Sequence, residues 1–92
     1  MKRVHIYVYG TVQGVFFRKY TKRIADKLEI KGWVRNLNDG SVEVTAEAKK
    51  SVLEDFVDEL WTGPKAADVK DMKIKWKEPT REFEKFEIKE TI

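Results

Sequence analysis

Cysteine is absent from this chain of 92 residues, and histidine occurs once, as His5. Without thiols there are no disulfides, no thiolate nucleophile and no zinc site that needs cysteine, which fits a reducing compartment better than a secreted, stapled scaffold. Long apolar runs are missing as well. No stretch approaches the roughly 20 residues of a membrane-spanning helix, and Met1-Lys2-Arg3 is followed by alternating residues in place of a signal-peptide block. The expected location is the cytoplasm, with no membrane partner. Linkers, repeats and low-complexity stretches are also lacking, and a chain of this length is expected to form one domain over residues 1–92, burying about two thirds of its unfolded surface.

What is present is a globular composition: 41% hydrophobic residues and 12% aromatic ones, far above a disordered tail. The net charge of +3 is unevenly spread, since residues 1–35 carry nine Lys or Arg against Asp26 and Glu29, whereas the remainder is net acidic. A basic half fits either a solvated helix face or a site for an anion.

Period-two alternation puts Val4, Ile6 and Val8 on one side of a strand over residues 3–9, with His5, Tyr7 and Tyr9 opposite. Gly10 and Gly14 break it, and from Phe17 the apolar positions Phe17, Tyr20, Ile24, Ala25 and Leu28 take helical spacing. Gly32 is read as the helix stop, Trp33–Leu37 as a second strand, Asn38-Asp39-Gly40 as a tight turn and Ser41–Ala48 as a third strand. The second helix carries the stripe Val52, Leu53, Phe56, Val57, Leu60 and Trp61 between a Ser51/Glu54 capping box and Gly63-Pro64. Met72, Ile74 and Trp76 alternate with lysines in a fourth strand, and Phe86 and Ile88 mark a possible short fifth one.

Strand, helix, strand, strand, helix, strand is the ferredoxin-like βαββαβ order of an α+β sandwich, an antiparallel sheet with both helices on one face. The crossover helix makes the first two strands run in the same direction, so their carboxyl ends share one edge. The Gly10–Arg18 loop leaves one of those ends and Asn36 lies near the other. A glycine-bearing loop entering a helix, followed by Arg18, supplies backbone N–H groups, a positive helix end and a guanidinium suited to a phosphoryl group. It matches neither nucleotide-binding glycine motif, and on pattern alone a pair of turn glycines with a surface arginine serves equally well.

Gly10-Thr11-Val12-Gln13-Gly14-Val15-Phe16-Phe17-Arg18 resembles the first signature of the acylphosphatases. The run Gly32-Trp33-Val34-Arg35-Asn36-Leu37-Asn38-Asp39-Gly40-Ser41-Val42 resembles the second. The likeness extends through Trp61, Gly63-Pro64 and the strand from Val69 to Trp76. One position departs: Ala48 stands where the second signature usually ends in glycine.

This resemblance implies hydrolysis of the mixed anhydride between a carboxylic acid and phosphate, without metal or cofactor. Carboxylate is a good leaving group that needs no general acid. The charge that develops on the phosphoryl oxygens calls for positioning and electrostatics rather than covalent chemistry. By the family's pattern Arg18 clamps those oxygens, the loop amides of Gly14, Val15, Phe16, Phe17 and Arg18 cradle them, and Asn36 holds the attacking water. The implied partner is a small acyl phosphate, with phosphate or sulfate as competing anions, no nucleic acid, and the chain acting as a monomer.

Other candidates carry plainer roles. His5 projects from mid-strand, away from the loop end, and reads as structural or surface. Trp33, Trp61 and Trp76 read as core or rim packing. Glu82, Glu84, Glu87 and Glu90 read as a solvated strand face without the histidine a metal cluster would need. The competing function is a binding module of the same fold, yet no run resembles the RNA-binding signature of such sheets. A weakly active domain within a larger assembly is the third reading, and the chain's free termini favour a stand-alone protein.

Overall fold

A computed structural model describes residues 1–92. Along the chain come β1 (Lys2–Thr11), α1 (Phe17–Lys27), β2 (Lys31–Asn36), β3 (Val42–Ala48), α2 (Lys50–Thr62), β4 (Asp68–Lys77) and β5 (Phe86–Ile88). Two helices pack on a five-stranded sheet of order β4-β1-β3-β2-β5. The first four strands pair antiparallel, as the element order predicts, and the short fifth strand is present. It lies parallel to β2, so the sheet is mixed.

Alternation in β1 fixes the layers. Val4, Ile6 and Val8 are fully buried beneath the helices, with Val42, Val44 and Ala46 level with them across β3. Each helix closes this side with its buried stripe, Phe17, Thr21 (its hydroxyl donating to the Phe17 carbonyl) and Ala25 from α1 and Leu53, Phe56, Val57 and Leu60 from α2. Phe86 of β5 meets Phe56 edge to face, ring centroids 6.1 Å apart. The resulting core joins sixteen apolar residues, and full burial of each large side chain contributes about 1.5–3 kcal/mol.

Two boundary expectations are corrected. Gly32 does not stop α1: the helix ends at Lys27, the chain turns through Glu29 at φ 58°, and Gly32 lies inside β2. Glycine is needed there because a Cβ would overlap the Thr45 carbonyl of the neighbouring strand. Nor does Ser51 cap α2, which already starts at Lys50 with Lys49 as an extended cap residue and no side-chain cap bond. Only Lys49 separates β3 from α2, and Leu53 in the first turn is fully buried. Gly63 ends α2 as expected, and Ala48 closes β3 opposite Lys2 with ordinary negative φ.

The other face of the sheet is drier than alternation alone implies: Glu43, Thr45 and Glu47 of β3 are all buried. β4 and β5 occupy opposite edges, so the chain between them must cross that face. It is pinned as it crosses. The Glu47 carboxylate accepts the backbone N–H groups of Thr80 (2.7 Å) and Arg81 (3.0 Å), Arg3 donates to Thr80 Oγ1 (3.0 Å), and the Arg3 guanidinium lies 5.3 Å from the Phe83 ring centre. Of the four glutamates read as one strand face, all are exposed but only Glu87 lies in a strand; Glu82 joins this crossing instead. Glu43 bridges His5 Nε2 and Arg35 Nε, each at 2.7 Å. Burial, then the Glu43 charge, pushes the nearby Tyr7 hydroxyl above its usual pKa.

Glu47→Ala should destabilise the fold by about 3 kcal/mol, because it strips two N–H groups of their acceptor and the half-buried Arg3 of a counter-charge. Lys75→Ala on exposed β4 should stay within about 0.5 kcal/mol. Urea unfolding measures both, and a Glu47→Ala cost below about 1 kcal/mol would show that the crossing is held by something else.

Candidate active site

β1 and β2 each pair antiparallel with β3, so they run in the same direction and end at the same edge. The register is close: Val8 and Asn36 both stand opposite Val42. What leaves β1 at this edge is the loop that enters α1, and what ends β2 is Asn36 itself.

Backbone torsions shape the loop. Gly14 has φ 73° with open space around its Cα, so the torsion alone calls for glycine there. Phe16 takes the left-handed conformation at φ 64° and ψ 24° and caps α1 without a side-chain bond. Phe17, 1% exposed, then plugs the helix start into the core. The first helical bond runs from Tyr20 N–H to the Phe16 carbonyl at 3.0 Å, and no N–H from Gly14 to Lys19 donates within the chain. No acidic residue lies in the first turn. A run of free donors at the positive end of a helix is an anion site by its own electrostatics.

These parts surround one cavity of about 330 Å³. Gly14, Phe16, Phe17 and Arg18 form its loop side, Asn36 its strand side, and Val12, Lys19 and Ile88 complete it. Four of the five expected loop residues therefore meet Asn36 there. Val15 does not line the cavity; its side chain packs against the core. Arg18 is half-buried and enters no ion pair, whereas Arg3 and Arg35 are neutralised by Glu47 and Glu43. No carboxylate lines the cavity.

Asn36 is not a turn residue. It is the last residue of β2, 8% exposed, on the same face as the fully buried Val34, and its Oδ1 is buried without a hydrogen-bond partner. Burying an unpaired acceptor costs about 1–3 kcal/mol, and Arg3 Nε on the opposite face is unpartnered in the same way. His5, by contrast, lies mid-sheet on the opposite face with Glu43 and is not part of the cavity. Trp61 and Trp76 sit at the rim, over 40% exposed, and Trp33 is held between Arg35 and Lys89. No group of three or more His, Asp or Glu converges anywhere.

Sequence reasoning passed over Gln13. Its amide donates to the carbonyls of Leu37 (2.7 Å) and Ser41 (2.8 Å), tying the loop to the β2–β3 turn beside Asn36. The turn is fixed from within by Leu37 N–H to Ser41 O (2.9 Å) and by Asp39, whose carboxyl accepts the Ser41 hydroxyl and N–H and so sits below its usual pKa. Nothing in the residues around Gln13 signals this role, because both acceptors lie in the β2–β3 turn, where each also takes a backbone N–H. Beyond β5 the chain follows β2 to its end, with Ile92 accepting from Asn38 N–H at 2.6 Å.

Comparison with known proteins identifies the family and agrees with the fold. The acylphosphatase family model matches residues 4–88. An acylphosphatase of Pelotomaculum thermopropionicum is 42% identical over 86 residues, 94% of each chain. One from Pyrobaculum calidifontis is 45% identical over 87 residues, covering 94% of this chain and 79% of that one. The crystal structure of acylphosphatase from Bacillus subtilis superposes with a TM-score of 0.93 at 35% identity, covering 96% of this chain and 98% of that one. With two signatures meeting at one cavity and these likenesses spanning nearly its whole length, the chain belongs to the acylphosphatase family.

Proposed function

We propose that the protein hydrolyses acyl phosphates at this cavity, with Arg18 and the loop amides binding the phosphoryl group and Asn36 Oδ1 accepting from the attacking water. The observation that carries the reading is a single cavity lined together by Asn36, by Arg18 without an ion pair and by the uncapped start of α1. Family membership and the names of the relatives support acyl-phosphate hydrolysis; the residue roles are those the resemblance implies, supported by the shared cavity.

The chemistry needs little more. Water attacks phosphorus, the bond from phosphorus to the carboxyl oxygen breaks, and carboxylate departs with the electron pair and no proton. The excess water proton is shared by phosphate and solvent. The phosphoryl oxygens accumulate charge that Arg18 and the fixed N–H groups meet without reorganising. Asn36 suits the water because a neutral amide accepts a hydrogen bond without adding negative charge beside the phosphoryl group. The reaction assigns no step to a metal. The deciding assay is release of phosphate from acetyl phosphate with EDTA present, beside a phosphate monoester. Hydrolysis of the acyl phosphate alone is expected, and equal or absent hydrolysis of both overturns the reading.

Arg18→Lys should be nearly as damaging as Arg18→Ala, each losing on the order of a thousandfold in turnover, because a point charge cannot replace a planar fork that binds two oxygens. Near-normal turnover in the lysine variant removes Arg18 from this role. Asn36→Ala should lower turnover strongly with little change in competitive inhibition by phosphate. Asn36→Asp should weaken that inhibition as well, once its carboxyl ionises. If both variants lose activity only in step with their unfolding midpoint, Asn36 is scaffolding.

Gln13→Ala should lower turnover about tenfold or more although Arg18 and Asn36 are both retained, because it frees the loop to shift against the β2–β3 turn and misplacement by about 1 Å costs on the order of a hundredfold. Amide shifts from Gly14 to Arg18 on titration with phosphate should broaden and shrink in the variant. Unchanged shifts and turnover would mean that the loop holds its position without the strut.

A further inference from the structure

The phosphoryl reading leaves Phe16 unexplained. A non-glycine residue in the left-handed region costs roughly 1–2 kcal/mol, and Phe16 holds φ 64° there. Its ring is 74% exposed, so burial returns little of that cost in the free protein. Backbone preference favours glycine at this position and core packing does not call for a large side chain, yet the chain has a phenylalanine.

Where the ring stands is informative. Phe16 lines the cavity that holds Arg18 and Asn36, and at about 330 Å³ that cavity falls at the small-molecule scale, roughly 300–1,000 Å³, with room beyond the cradle. Apart from Gly14, Arg18, Lys19 and Asn36, every lining residue is apolar: Val12, Phe16, Phe17 and Ile88. Val12 and Phe17 are buried to 1% exposure, which leaves Phe16 and Ile88, the latter 39% exposed, as the open apolar surfaces. Ile88 pairs with Val34, two residues from Asn36, so it flanks the proposed water site from the neighbouring strand. Lys19 Nζ lies 5.8 Å from the Phe16 ring centre and enters no ion pair, a cation–π contact that restrains the ring at the mouth.

Resting on the acyl-phosphate reading above, we propose that Phe16 and Ile88 are the residues that select the acyl group, and that they favour acyl phosphates whose acyl part is flat and apolar over acetyl phosphate. With the phosphoryl group in the α1 cradle, the acyl part extends over the Phe16 face and against Ile88. The ring then loses water only when substrate is bound, so its exposure in the free protein becomes binding energy in the complex.

The test compares kcat/KM for benzoyl phosphate and acetyl phosphate in the full chain and reads how their ratio changes between variants, which cancels the difference in intrinsic reactivity. Phe16→Gly and Ile88→Ala should each lower the ratio about fivefold to tenfold, in the range one hydrophobic contact supplies, whatever common loss they share. Phe16→Tyr should keep it. Competitive inhibition should follow the same order, phenylphosphonate losing its advantage over methylphosphonate in Phe16→Gly and retaining it in Phe16→Tyr. A ratio that stays constant while both rates fall overturns the proposal and leaves acyl-phosphate hydrolysis standing. A wild-type chain that hydrolyses neither compound overturns both.

Discussion

The antiparallel pairing of β3 with both of its neighbours is the constraint on which everything at the site depends. Because β1 and β2 flank one strand in the same sense, with Val8 and Asn36 sharing Val42 as partner, two segments over twenty residues apart in sequence end side by side. One end delivers a glycine-bearing loop and a helix start, the other a buried amide. Neither is a site alone. A helix start without a facing acceptor binds any small anion, and an asparagine at a strand end without a cradle holds nothing that reacts.

The site is also assembled from groups the fold leaves unsatisfied. On the opposite face of the sheet the buried carboxylates are matched: Glu47 takes two crossing N–H groups, and Glu43 lies between His5 and Arg35. At the sheet edge the balance is withheld, with free N–H groups from Gly14 to Lys19, an arginine without a carboxylate and an amide oxygen without a donor. These groups cost stability in the free protein and are the ones that a phosphoryl group and a water would satisfy. Phe16 extends the same pattern to apolar surface.

The crossing from β4 to β5 has a quieter part in this. By covering the face opposite the helices it buries the alternate residues of β3, and it brings β5 to the outer edge of β2, where Ile88 meets the cavity. The fifth strand is thus part of the site's wall. Its parallel pairing follows from the long crossing, since a short hairpin from an antiparallel edge could not reach the far side of the sheet.

Much of this could be read from the residues in order. Period-two alternation in Val4, Ile6 and Val8, helical spacing in Leu53, Phe56, Val57 and Leu60, and the order of elements set the fold, because local periodicity decides which face is buried. The two signatures singled out Gly14, Phe16, Phe17, Arg18 and Asn36, which line one cavity, because torsion and residue type at such positions are local properties. What the sequence could not decide were contacts between distant segments. Gly32 passed for a helix stop because the carbonyl that forbids its side chain belongs to Thr45 on another strand. Ser51 passed for a cap because the true start of α2 depends on how β3 delivers the chain. Gln13 was silent until Leu37 and Ser41 stood opposite it, and Ile88 joined the cavity only once β5 paired with β2. Periodicity along a chain records which side of an element faces inward; which other element it faces is fixed only when the sheet closes.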